Sequence, residues 1–131
     1  MSTRCYAGIK NADGTVEVTY SHFDKYPEVT GMNLLEGFNS VEQMKKLLTL
    51  GGVRSIEKTF EETKRSAYND EELVLKFANV QDLNKHLKDG FIEYVYLFDE
   101  EKNKFIFKHV DDARFKTLTK IQRVSNILWA N

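Results

Sequence analysis

The sequence predicts a single α+β domain in which two antiparallel β-hairpins form a sheet that is packed by about four to five helices. Two alternating apolar and polar runs near the amino terminus are separated by a short turn sequence, and a second pair of strand-like runs lies close to residue 100. Between the two pairs, apolar residues recur with helical spacing behind residues that commonly cap helices. The chain has 131 residues, a usual length for one domain, so residues 1–131 are expected to share one core.

The first hairpin is predicted where RCYAGIK and VEVTYSHF are joined by NADG. NADG suits a type I turn whose glycine then adopts the left-handed conformation and forms a bulge. Because side chains two residues apart share one face of a strand, each run carries a stripe of residues on one face. The two stripes are Cys5, Ala7 and Ile9 in the first strand, and Val16, Val18, Tyr20 and His22 in the second.

Helices are predicted at four places in the middle of the chain. GMNLLEGFN has helical spacing, and the next helix begins with Ser40 as N-cap and ends at Gly51 and Gly52. Residues 55–72 combine three apolar residues with many charges, which indicates an amphipathic helix followed by a solvated turn. After a strand in ELVLKFAN, Asn79 is expected to cap a helix that stops at Gly90.

The carboxyl-terminal part is predicted to contain the second hairpin and a closing helix. FIEYVYLFD has apolar residues on both faces, as a central strand would, and DEEKNK turns it into KFIFKHV. The closing helix is expected to start at Asp111 or Asp112. Its apolar positions are Phe115, Leu118, Ile121, Val124 and Leu128.

Charge and cysteine content exclude several classes of function. The 19 basic and 20 acidic side chains give a net charge of −1, so no overall positive field favours a nucleic-acid partner. Cys5 is the only cysteine, which excludes an internal disulfide and suits a reducing compartment. The absence of a signal-like or membrane-spanning apolar run leads us to expect a cytoplasmic protein with no membrane partner.

The segment YSHFDKYPEVTG concentrates chemically active side chains at the end of the second strand. One interpretation is structural, because Pro27 ends the strand and His22 would be a hydrogen-bonded corner residue. The other interpretation is a small-ligand binding protein or an enzyme that uses this loop, close to the start of the first strand, to hold a nucleotide or another anionic metabolite. The candidate binding residues are His22, Phe23, Asp24, Lys25 and Tyr26, together with Arg4.

No catalytic, metal or cofactor site is predicted. Ser21 and His22 are neighbours on opposite faces of a strand, which is the wrong geometry for a nucleophile and its base. The three histidines fall in three different elements without a short-spaced ligand pair. GIKNADG lacks the glycine spacing and the terminal Lys-Ser/Thr of a phosphate loop. An enzymatic activity is therefore disfavoured.

The amino-terminal half resembles a family of small uncharacterised proteins encoded by tailed bacteriophages and prophages. The residues that carry the resemblance are RCYAGIKNADGTVEVTYSHFDKYP, then LLEGFN and VEQMKKLLTLGG. The family typically reads IKNEDGTV, YCHWDGYP, a glycine, an LL pair and a helix ending in LIxLG. The chain departs from this pattern at Ser21, Phe23 and Lys25, where cysteine, tryptophan and glycine are usual.

The resemblance implies a phage origin and no particular activity. Small non-structural phage proteins commonly bind and redirect host proteins, so we expect a non-enzymatic binding protein that acts on a host or defence-system protein in the host cytoplasm. Self-association is an open alternative. Because aromatic residues often anchor interfaces, the candidate interface side chains are Tyr6, Phe23, Tyr26, Tyr94 and Tyr96. Each of these is equally consistent with burial in the core.

Overall fold

The computed structural model describes residues 4–22, 26–88 and 90–119, and these form a mixed α+β fold. Six strands make one sheet in the order β3-β2-β1-β4-β5-β6. All neighbouring strands are antiparallel except β1 and β4, which pair in parallel. The strands are β1 (Cys5–Lys10), β2 (Val16–Ser21), β3 (Val74–Phe77), β4 (Tyr94–Asp99), β5 (Lys104–His109) and β6 (Lys116–Thr117).

The predicted α+β class is confirmed and both predicted hairpins are present, as β1–β2 and β4–β5. The turn of the first hairpin is the expected one: the amide of Gly14 donates to the carbonyl of Asn11 at 2.9 Å, and Gly14 has a φ of +93°. The sheet is larger than two hairpins, because β3 adds to the edge of β2 and β6 to the edge of β5.

Four α-helices lie in the described part of the chain: α1 (Met32–Gly37), α2 (Val41–Leu48), α3 (Phe60–Lys64) and α4 (Val80–Leu87). A π-helical turn over Pro27–Gly31 leads into α1, and a 3-10 turn over Glu71–Leu73 precedes β3. The predicted caps are confirmed, since Ser40 Oγ accepts from the Gln43 amide at 3.1 Å and Asn79 Oδ1 accepts from the Asp82 amide at 2.8 Å.

The sheet has two buried faces, and the stripes predicted for β1 and β2 lie on opposite ones. On one face, here called the α1–α2 face, β1 and β4 place Ala7, Ile9, Tyr96 and Phe98 against apolar residues of α1 and α2. The opposite face, here called the α4 face, is covered by α4. Its buried residues include Tyr6, Val16, Val18, Val95 and Leu97 from the sheet, with Leu83 and Leu87 from the helix.

The helix predicted over residues 55–72 is wrong in extent. Only Phe60–Lys64 is an α-helix, and it begins after Thr59, whose side chain accepts from the Glu62 amide. Before this helix, Val53 forms isolated bridges with both Ser21 and Ala67. Tertiary backbone pairing therefore replaces the helix that the local charge pattern indicates.

The closing helix is also contradicted where the structure describes it. Lys116–Thr117 forms β6, in which Thr117 pairs with Ile106 of β5. Phe115 packs on the α4 face and Leu118 on the α1–α2 face, as residues an odd number of positions apart do in extended chain. The predicted positions Ile121, Val124 and Leu128 lie outside the described residues.

Candidate functional site on the α4 face

Two tyrosine–histidine pairs stand side by side on the α4 face. Tyr6 and Tyr20 are direct partners across β1 and β2, so their side chains leave the sheet together. The Tyr6 hydroxyl is 3.0 Å from Nε2 of His86, which α4 supplies. The Tyr20 hydroxyl is 2.8 Å from Nδ1 of His22, one residue beyond the end of β2. These hydrogen bonds hold both phenol rings in place at one end of the sheet.

Arg4 and Phe91 complete this end of the α4 face. The guanidinium carbon of Arg4 lies 5.8 Å from the centre of the Phe91 ring, which is within the range of a cation–π contact. The Arg4 carbonyl accepts a hydrogen bond from the Glu93 amide at 2.9 Å, which ties the start of β1 to the start of β4. Among the described residues, no carboxylate forms an ion pair with Arg4.

These side chains surround an open cleft of about 470 Å³, here called the arginine cleft. Its volume lies within the range of small-molecule sites. Phe91 stands at its rim with 79% of its surface exposed, the largest exposure of any large apolar side chain in the described part of the chain. The lining residues are Arg4, Tyr6, Tyr20, His86, Gly90, Phe91 and Ile92.

The arginine cleft places one cation beside uncharged phenol groups. Burial raises the pKa of Tyr6, and the neighbouring Tyr20 raises that pKa further, so the Tyr6 hydroxyl stays neutral near pH 7. Among the described residues that line the cleft, Arg4 is the one with a permanent charge. None of these described residues supplies a carboxylate, a thiol or a serine hydroxyl. The arrangement offers a cation, two phenols and exposed ring surface, which are groups that recognise a partner.

The candidate residues from the sequence do not form one site. Arg4 and His22 lie on the α4 face, in or beside the cleft. Tyr26 lies on the α1–α2 side, where its ring centre is 6.0 Å from that of Tyr94. Phe23, Asp24 and Lys25 lie outside the described residues. The sheet thus separates Tyr26 from Arg4, although the sequence grouped them.

Some of the aromatic residues expected at an interface are buried in the core, and others are exposed or half-buried. Tyr96 is fully buried and Tyr6 is 9% exposed, so these two belong to the core. Tyr26 is 44% exposed, and Tyr94 is half-buried between the Tyr26 and Tyr96 rings. The sequence reading missed Phe91, because it counted this residue as the first of the FIEYVYLFD strand. The glycine immediately before it was the available signal that Phe91 lies in a loop.

Comparison of the chain with protein-family models, with curated proteins and with solved structures finds no match. Within the described ranges, no group of three or more histidine, cysteine or acidic side chains has an arrangement suited to a metal ion. In those same ranges, none of the helices combines the length and the apolar character that crossing a membrane requires. Functional interpretation therefore depends on the arginine cleft and on the resemblance of the amino-terminal half.

Proposed function

We propose that this chain is a phage-encoded accessory protein that binds a host protein, such as a component of a defence system, and modulates or inhibits it in the host cytoplasm without catalysis. The observation that carries the proposal is the exposure of Phe91 beside Arg4 at the mouth of the arginine cleft. Arginine and aromatic side chains dominate the energetics of protein interfaces. We propose a host protein as the partner because the amino-terminal half resembles phage proteins.

The geometry favours a protein partner because it combines a projecting anchor with an adjacent concave surface. Phe91 has 79% of its surface in water, so covering its ring would contribute about 1–2 kcal/mol of binding free energy. The arginine cleft next to it can receive a side chain of the partner. Arg4 favours an acidic or carbonyl-bearing group there, since no neighbouring carboxylate in the described ranges neutralises it.

A pull-down from bacterial lysate tests the proposal with a matched pair of variants. Tyr68 provides the control, because it is 38% exposed and lies 6.0 Å from the Arg54 guanidinium, which makes a second arginine–aromatic pair away from the cleft. We expect the wild type and Tyr68→Ala to recover the same partner and Phe91→Ala to lose it. With the purified partner, Phe91→Ala should weaken Kd by about tenfold or more.

Two results would contradict the proposal. The first is recovery of the partner by Phe91→Ala as efficiently as by the wild type. The second is the repeated failure of the wild type to recover any protein above background. Because Phe91 is exposed, Phe91→Ala should melt within a few degrees of the wild type, so a loss of binding would not reflect unfolding.

A small anionic ligand, such as a nucleotide, is the second candidate partner. The observation that favours it is Arg4, which lines a cleft of ligand size with the Tyr6 and Tyr20 hydroxyls nearby. A ligand that binds only the native state raises the melting temperature. A thermal-shift panel of nucleotides on the wild type and on Arg4→Gln tests this candidate, and a flat panel would leave the protein partner as the sole proposal.

Self-association through a sheet edge is a further proposal within the same function. In the described sheet β3 and β6 are the outer strands, and such strands can pair with another copy. Sedimentation over a range of concentrations tests it, and a monomer at the highest concentration would remove it.

A further inference from the structure

A second cavity on the α4 face carries an inference that is independent of the arginine cleft. It has a volume of about 560 Å³ and lies between the carboxyl-terminal part of α4, Gly90 and Ile92, and the end of β5 with the chain that follows it. Four charged side chains line it: Lys88, Lys108, Asp111 and Asp112. This cavity is here called the lysine cavity; it borders the arginine cleft at Gly90 and Ile92, but neither Arg4 nor Phe91 lines it.

Lys108 is the unusual residue of the lysine cavity, because it is a lysine with only 4% of its surface exposed. Lysine is rarely buried to this extent without a charged partner. Its Nζ donates to the Asp112 carbonyl at 3.3 Å and lies 5.4 Å from the centre of the Phe115 ring. Burial lowers the pKa of Lys108, and the Asp112 carboxylate opposes this shift. An ammonium has three donors, and this hydrogen bond satisfies one of them.

Asn84 adds a second, independent observation in the same cavity. Its Oδ1 atom is buried and has no hydrogen-bond donor among the described residues. Buried polar atoms are normally paired, and leaving one unpaired is unfavourable. Asn84 belongs to α4 and Lys108 to β5, so the packing of the helix on the sheet brings an orphan acceptor and an incompletely paired cation to one cavity.

We propose that the lysine cavity binds a small zwitterion of the α-amino acid type, with its carboxylate at Lys108 and its ammonium at Asn84 Oδ1. The carboxylate supplies acceptors for the remaining Lys108 donors. The ammonium supplies the donor that Asn84 lacks. The lining charges, two lysines and two aspartates, match a ligand that carries both signs.

Simpler occupants leave one of the two groups unpaired. A plain carboxylate satisfies Lys108 and offers no donor to Asn84. A plain amine satisfies Asn84 and places a second cation near Lys108. A water molecule can donate to Asn84 but brings no anionic acceptor to the remaining donors of Lys108.

Calorimetric and NMR titration of the full chain with the twenty amino acids tests the proposal. At least one amino acid should bind saturably with a 1:1 stoichiometry. Its analogues without the amino group and without the carboxylate should bind about tenfold more weakly or worse, because each loses a charge-assisted hydrogen bond. These comparisons use the wild type, so they do not depend on the folding of any variant.

Variants locate the binding in the lysine cavity. Lys108→Met keeps the length of the side chain and removes its charge, and Asn84→Ala removes the orphan acceptor. Each should weaken binding about tenfold or more. Lys104→Met is the matched control, because Lys104 is an exposed lysine on the same face of β5 outside the cavity.

Three outcomes would overturn the proposal. These are the absence of saturable binding by all twenty amino acids, equal binding of the analogue that lacks the amino group, and unchanged affinity in Asn84→Ala. The last two would show that the ligand does not use the orphan acceptor, and the first would leave water as the partner of Asn84. None of these outcomes bears on Phe91 or the arginine cleft, so the protein-binding proposal is tested separately.

Discussion

The substitution Leu83→Ala tests whether α4 is held on the sheet by its apolar stripe. This helix has eight residues, and a helix of that length is marginal in water without tertiary packing. Leu83 is fully buried and Leu87 is 3% exposed, and both pack against the α4 face. The same helix supplies His86 to the arginine cleft and Asn84 to the lysine cavity. Both proposed sites therefore depend on this packing.

The expected cost follows from the burial of Leu83. Truncating a fully buried leucine to alanine removes three carbon atoms, the Cγ and both Cδ methyl groups, and leaves a partly collapsed cavity, which costs about 3 kcal/mol of unfolding free energy. For a chain of 131 residues this corresponds to a melting temperature lower by roughly 10 °C. Urea unfolding followed by circular dichroism should show a lower midpoint with an unchanged m-value.

The matched control is Gln81→Ala, an exposed position in the same helix. It should change the unfolding free energy by less than about 0.5 kcal/mol, because alanine favours the helix and no buried contact is lost. Hydrogen exchange of the α4 amides should accelerate in Leu83→Ala and not in the control. A cost below about 1 kcal/mol for Leu83→Ala would refute the reasoning that this residue anchors α4.

Three further predictions test the fold at separate places. Gly8→Ala should lower the unfolding free energy, measured by thermal melting, by about 3 kcal/mol or more, because the added methyl would stand 1.8 Å from the Glu17 carbonyl oxygen. Gly14→Ala meets nothing within 4 Å and should lower it by about 1–2 kcal/mol. Equal losses in the two variants would contradict this reasoning. Burial holds the pKa of Tyr96 well above 10, so the unfolded chain loses its phenol proton first and the unfolding free energy falls as the pH rises above about 10. In Tyr96→Phe, the unfolding free energy from urea titrations should fall less steeply with pH. If it falls as steeply as in the wild type, the raised pKa of Tyr96 does not cause the fall. Ser40→Ala removes the cap of α2 and should lower the unfolding free energy by about 1 kcal/mol, with Ser40→Asp as the variant that restores it.

Local sequence determined much of the secondary structure. The turn at NADG places a glycine where a left-handed residue is needed, and the Gly14 backbone adopts that conformation. Ser40 and Asn79 accept from the amide three residues ahead in the helices they begin. The predicted stripes of β1 and β2 each keep to one face of the sheet. These features need only neighbouring residues, since period-2 alternation and capping hydrogen bonds act within a few positions.

The tertiary structure decided how the elements meet. The parallel pairing of β1 with β4 joins residues almost ninety positions apart, and it brings the Glu93 amide to the Arg4 carbonyl. Pairing with β5 turned Lys116–Thr117 into a strand, although the spacing of apolar residues there is helical. The spacing of apolar residues can fit both a helix and a strand, and it does not specify which other strand the segment will pair with.

Tertiary packing also determined which residues form the candidate sites. Tyr26 and His22 are four positions apart in the sequence, yet the sheet separates them onto opposite faces. Asn84 and Lys108 come to one cavity because α4 packs on the sheet that contains β5. Phe91 is exposed although its residue type favours burial, because the helix ends before it and the strand begins after it. Which side chains share a cavity depends on long-range packing, and that packing has no signature in any short stretch of sequence.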